Sequence, residues 1–84
     1  MLIILTNPNG TPLAQVELLR PGERSQADDL AWTAERWLPD VPVYQARRKD
    51  DGTVQVKQAY PREGEPQSLT PADFLNVLER LGRP

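Results

Sequence analysis

The sequence predicts an α+β domain with the element order β-β-α-β-β-α, a four-stranded antiparallel sheet with two helices packed on one face. Three observations lead there. Two pairs of strand-like segments are each joined by a short turn ending in glycine, Asn9-Gly10 and Asp50-Asp51-Gly52. Each pair is followed by a segment with apolar residues at helical spacing. Eighty-four residues leave room for one modest core. Residues 1–84 are therefore read as a single domain, with a first ββα unit over 1–40 and a second over 41–84.

"LIILT" (Leu2 to Thr6) is an unbroken apolar run, the pattern of a strand covered on both faces. "LAQVELL" alternates, with Ala14, Val16 and Leu18 on one side and Gln15 and Glu17 on the other. "RPGE" breaks it. Ser25 is the expected N-cap of the first helix, with Asp28 three residues on to complement the positive helix end. That helix runs to about Leu38, where "PDVP" ends it.

In the second hairpin, a three-residue loop with Gly52 in the left-handed region pairs Lys49 with Thr53. This register puts Tyr44, Ala46, Val54 and Val56 on one face, and Gln45, Arg47, Lys49, Gln55 and Lys57 on the other. Tyr60 is expected on the same core side as Tyr44. "PREGEPQS" reads as a polar connection. It leads to the best-marked helix, with Thr70 as cap, Pro71 at the first position, Asp73 in the first turn and Gly82 closing the far end. Phe74, Leu75, Val77, Leu78 and Leu81 form its broad apolar face.

The two halves are alike. "NGTPLAQVELLRPGE" and "DGTVQVKQAYPREGE" share a turn glycine, a threonine and a Gln-Val pair, and each precedes a helix with Ala-Asp near its start and Glu-Arg further on. Either an internal duplication of a ββα unit or convergence of similar hairpin-helix chemistry accounts for this; neither half could bury its apolar face alone, so two units would combine into one sheet.

Composition excludes whole classes of activity. Cysteine and histidine are both absent. Thiol nucleophiles, disulfides, thiolate and imidazole metal sites, and Ser-His-Asp or Cys-His catalysis fall with them. The carboxylates sit where structure wants them: Asp28 and Asp73 at helix starts, Asp50 and Asp51 in a turn. The adjacent pairs have no EF-hand spacing, and the five glycines form no phosphate-binding loop. The expectation is a protein that is not an enzyme, with no cofactor and no metal site.

The net charge of −2 gives no whole-molecule attraction to nucleic acid or anionic membranes. The N-terminal apolar run is too short for a signal peptide or a membrane span. A cytoplasmic location without membrane contact is expected. Nine prolines, most of them in turns, and eight Arg against two Lys point weakly to a heat-adapted or GC-rich source.

Two surfaces stand out. In "ADDLAWTAERWLPD", Ala27, Leu30, Ala31, Ala34 and Leu38 converge on one helical stripe. Trp37 lies at its edge, placed to cover the margin of the sheet. Trp32 points away, beside Asp28, Glu35 and Arg36. An outward indole is either covered by a loop or tail, or anchors an interface, because Trp combines large area with few rotamers. Trp32, Asp28, Glu35 and Arg36 are thus a candidate protein interface, and Trp32→Ala is expected to weaken association more than folding.

The second surface is Arg47, Lys49 and Lys57 on the outer face of the second hairpin, able to meet nucleic acid or an acidic partner. It has no aromatic residue for stacking bases, and an edge-protecting solvated face explains it equally. The favoured function is a small non-catalytic interaction or regulatory module that self-associates, as a dimer, and meets a protein partner the sequence does not identify. The alternatives are nucleic-acid binding through the basic face and, weaker, a carboxylate-based enzyme with a site between protomers.

Overall fold

Seven elements form in the structure, a computed structural model that describes residues 1–62 and 64–82. They are β1 (Leu2–Thr6), β2 (Pro12–Leu19), α1 (Ala27–Trp37), β3 (Val43–Arg48), β4 (Val54–Tyr60), β5 (Gln67–Leu69) and α2 (Pro71–Leu81). The α+β class stands, but the sheet differs from the expected one. It has five strands in the order β1-β2-β3-β4-β5, and it is mixed. β2 and β3 run parallel, and the other neighbours run antiparallel. The reason is topological: α1 carries the chain back to the starting end before β3 begins, and such a crossover joins parallel strands. β5, only three residues long, lies in and just beyond the segment read as a polar connection.

The helices do not share a face. Strand register sorts side chains into two sets. Gln15, Glu17, Gln45, Arg47, Gln55 and Lys57 project from one face, and Val16, Leu18, Tyr44, Ala46, Val54 and Val56 from the other. α1 lies on the first set, a mainly polar face that also carries the buried Leu19 and Val43, and packs across β3 and β4. The first turn of α2 meets the apolar set, where Pro71 and Phe74 line a groove with Leu18, Ala46 and Val54.

A helix on a polar face needs small residues and paired groups. Ala27 and Ala34 are the buried positions of α1 and allow close approach. Gln15 and Glu17 are themselves buried. Among the described residues no buried side-chain nitrogen or oxygen lacks a partner.

The start of α1 is set from a distance. Gln26, not Ser25, occupies the N-cap position, and it has no side-chain cap. Instead the Glu17 carboxylate of β2 accepts from the Ser25 hydroxyl at 2.7 Å and from the Gln26 N–H at 2.8 Å. Ser25 Oγ accepts from the Ala27 N–H at 3.0 Å. The expected cap residue thus relays a strand carboxylate to the helix.

The second hairpin forms in the expected register. The Lys49 N–H donates to the Thr53 carbonyl at 2.8 Å, and Gly52 takes φ 87°. Asp51 Oδ1 accepts from the Thr53 N–H and hydroxyl at 2.9 and 2.6 Å. The hydroxyl contact, helped by the N–H, holds the Asp51 carboxyl below its ordinary 3.8. Further along, the register shifts between Val43 and Tyr44, so that Val43 pairs with Tyr60 while Tyr44 pairs with Gln58. This extra residue turns Tyr60 to the α1 face, where its hydroxyl donates to the Pro39 carbonyl at 2.9 Å. The expectation that Tyr60 shares a side with Tyr44 fails for that reason.

α2 starts as expected. Pro71 opens it, and Thr70 Oγ1 accepts from the Asp73 N–H at 3.2 Å. Yet α2 buries no residue fully, and Leu75 stays 64% exposed.

Two predictions follow from these contacts. Glu17→Ala leaves the Ser25 hydroxyl and Gln26 N–H without an acceptor. It is expected to cost about 2 kcal/mol, lowering Tm by roughly 10 °C in a domain of this size, as read by thermal melts. For Asp51 the folded pKa lies below the unfolded one. Its contribution is therefore full above about pH 4 and fades as pH falls through the folded value. Thr53→Val is expected to raise the Asp51 pKa towards the ordinary carboxylate value, as followed by NMR titration.

Candidate functional site

α1 displays both tryptophans, and only Trp32 lies as expected. Trp32 points outward as expected and is 56% exposed. It is not bare, because the Arg36 guanidinium carbon lies 3.7 Å from the ring centroid. Arg36 Nη1 also donates to the Trp32 carbonyl at 3.0 Å, and Glu35 approaches the guanidinium at 3.9 Å. This is a stacked cation–π pair on a helix surface, one turn apart. Trp37, expected to cover the sheet margin, is 73% exposed. α1 crosses β3 and β4 rather than the β1 side, so its last residue extends past the surface it was expected to seal.

Of the four residues expected around Trp32, three gather on the outer side of α1: Trp32, Glu35 and Arg36. Asp28 departs from them. It lines a cavity of about 400 Å³ with Gln45, Lys57, Ala59 and Arg62, between α1 and the sheet. Asp28 and Lys57, assigned by sequence to two different surfaces, therefore meet in one place.

The basic triad does not form an open face, since α1 covers the side of the sheet from which Arg47 and Lys57 project. Arg47 is engaged internally. Its Nη1 donates to the carbonyls of Arg20 and Glu23 at 3.1 and 2.6 Å, fastening the β2–α1 loop to β3. Lys49 sits at the hairpin turn, and Lys57 is exposed at the cavity it shares with Asp28. Among the described residues no group of three or more carboxylates is placed to hold a metal ion. No helix among them is long and apolar enough to cross a membrane.

Sequence reasoning missed an apolar margin. β1 is the edge of the sheet, so "LIILT" is not covered on both faces. Leu2 and Ile4 pair with Glu17 and Gln15, which places them on the α1 face, where they remain 43% and 54% exposed. Trp37 ends α1 on the same face of the sheet. Asp28 marks the flank turned to β3 and β4, and at 100° per residue Trp37 falls on the opposite flank of the helix. The signal was present in the sequence as an uncharged strand with no proline, which a buried strand and an unguarded edge share.

On the other face lies a groove of about 1010 Å³ between the start of α2 and the sheet. Its apolar floor includes Leu18, Ala46, Val54 and Phe74, with Arg20, Glu23 and Arg48 also lining it. No sequence feature marked it.

The stacked pair makes a measurable prediction. In a Trp37→Phe background, Arg36→Ala is expected to make Trp32 fluorescence more sensitive to acrylamide quenching. Tm is expected to fall by no more than about 5 °C, since an exposed cation–π contact contributes about 0.5–1 kcal/mol. Comparisons of the chain with family models, with curated proteins and with solved structures find no match.

Proposed function

We propose that the chain is a small non-catalytic protein-interaction module that self-associates through the margin formed by β1 and the last turn of α1. The observation that carries this reading is that β1, an uncharged edge strand, leaves Leu2 and Ile4 exposed on the face that carries α1, whose last residue Trp37 is exposed as well. Scattered apolar residues on a surface need no explanation, but two on one face of an open edge strand do. Trp37 is the natural anchor, because among the described residues no cation stacks on it as Arg36 stacks on Trp32. Dimers related by a twofold axis are the commonest assemblies, and a core built from five alanines and valines plus one leucine and two helix alanines is small enough to gain from one. Trp32 with Glu35 and Arg36 is left on the outer side as a second surface for a different protein. Nucleic-acid binding draws less support, because Arg47 is committed to two backbone carbonyls.

The test is sedimentation velocity across a concentration series. Wild type is expected to form dimers at micromolar to hundred-micromolar concentrations. Trp37→Ala is expected to weaken the dimer at least about tenfold, or about 1.4 kcal/mol. Its monomer should keep its Tm within roughly 3 °C, because the ring is mostly exposed. Trp32→Ala should weaken the dimer less. A wild type that stays monomeric throughout would overturn the reading.

A further inference from the structure

The two edges of the sheet are treated differently. β5 is three residues long, with Pro66 just before it and Pro71 just after Thr70. That is a guarded edge, too short and too interrupted to template another strand. β1 has five residues, no charge, no proline and an irregularity only at its far end, between Leu5 and Thr6. Proteins normally blunt such an edge with a lysine, a proline or a covering loop.

The backbone of β1 shows which groups are open. The Leu18 N–H donates to the Met1 carbonyl at 2.7 Å, and Met1 N donates back to the Leu18 carbonyl at 2.8 Å. Met1 and Leu18 are thus a hydrogen-bonded pair. In an antiparallel ladder such pairs alternate with pairs whose backbone groups turn the other way. Ile3–Val16 is therefore bonded across to β2, whereas Leu2 and Ile4 direct their N–H and C=O groups away from it. The neighbouring strand agrees: the Gln15 N–H, opposite Ile4, donates to the Pro42 carbonyl on the β3 side at 2.9 Å. Leu2 and Ile4 hence have both an exposed apolar side chain and an outward-facing peptide group.

Resting on the self-association proposed above, we infer that β1 pairs antiparallel with β1 of a second copy, with Ile4 on the twofold axis. Overlapping the five-residue strand with itself over its full length sets Ile4 against Ile4, Ile3 against Leu5 and Leu2 against Thr6. Every pairing is between uncharged residues, so the arrangement brings no like charges together. A second copy also offers the same outward peptide groups at Ile4, so each meets its complement. On the α1 face the seam gathers both copies of Ile4, with Leu2 alongside. Two apolar side chains per protomer make a seam smaller than the ~800 Å² per partner of a standard-size interface, so the outward peptide groups carry much of the association. The strand backbone and Thr6 supply the polar remainder. The product is a continuous ten-stranded sheet.

The absence of cysteine makes the test clean, since single-cysteine variants report one position each. Opposite residues in a bonded antiparallel pair lie about 5.5 Å apart at Cα, within disulfide reach, whereas a residue two positions off is not. Under mild oxidation Ile4→Cys is expected to cross-link as a dimer at least tenfold faster than Ile3→Cys or the outer-face control Trp32→Cys. Amide exchange of unmodified protein gives a second reading that depends on no variant. The Leu2 and Ile4 amides are expected to gain at least tenfold protection between dilute and concentrated samples, while the Ile3 amide is protected in both.

The outcomes separate cleanly. A dimer by sedimentation whose Leu2 and Ile4 amides exchange at the dilute rate would overturn the β1 pairing and leave self-association standing. Faster cross-linking at Ile3 than at Ile4 would overturn the Ile4-centred register. A monomer at every concentration would remove both the pairing and the reading beneath it.

Discussion

Much of this structure depends on one buried carboxylate. Glu17 is 6% exposed, in the middle of the sheet, on the face where α1 must land. A polar group so placed must keep its hydrogen bonds, because burying it unpaired costs free energy on the scale of the domain's whole stability. Its two partners, the Ser25 hydroxyl and the Gln26 N–H, are the residues from which α1 departs. The carboxylate therefore fixes where the helix begins and over which strands it passes. Arg47 completes the arrangement from β3 by holding the carbonyls of Arg20 and Glu23. The loop between β2 and α1 is tied to the sheet by an acid on one strand and a base on the next.

That anchorage decides which surfaces remain open. With its start held at Glu17, α1 runs above β3 and β4 and leaves the β1 side uncovered. The last turn ends in the exposed Trp37, while Trp32 turns outward and stacks with Arg36. The apolar strand set is served by α2, which packs loosely and leaves a groove above Leu18, Ala46 and Val54. The face that carries Gln15, Glu17 and Gln45 also carries Leu19 and Val43, and there apolar packing against Ala27 and Ala34 is joined by specific hydrogen bonds from Glu17.

Sequence patterning was legible wherever local chemistry decides the outcome. Gly52 and the alternation around it specified the β3–β4 register, because a left-handed residue and a one-sided pattern leave few alternatives. Thr70, Pro71 and Asp73 specified the start of α2 for similar reasons. What could not be read were long-range choices. Glu17 looked like an ordinary outward strand residue, and nothing local reveals that a helix nine residues later will use it as a cap. The parallel crossover, the three-residue β5 and the bulge that turns Tyr60 all depend on partners distant in the chain. Of the expected site residues, Trp32, Glu35 and Arg36 assemble together. Asp28, still exposed, turns to the pocket it shares with Lys57, Arg47 is committed to two loop carbonyls, and Trp37 emerges because helical phase was judged against the wrong strands.

The unequal edges have a consequence for the size of any assembly. A sheet grows by adding strands at its margins, and a chain with two receptive margins polymerises without limit. Here the β5 margin is closed by brevity and by the neighbouring prolines. Pairing through β1 about a twofold axis uses up the receptive margin of both copies at once. The same apolar strand that would seed fibres in a symmetric design would, if paired as proposed, give a particle that stops at two.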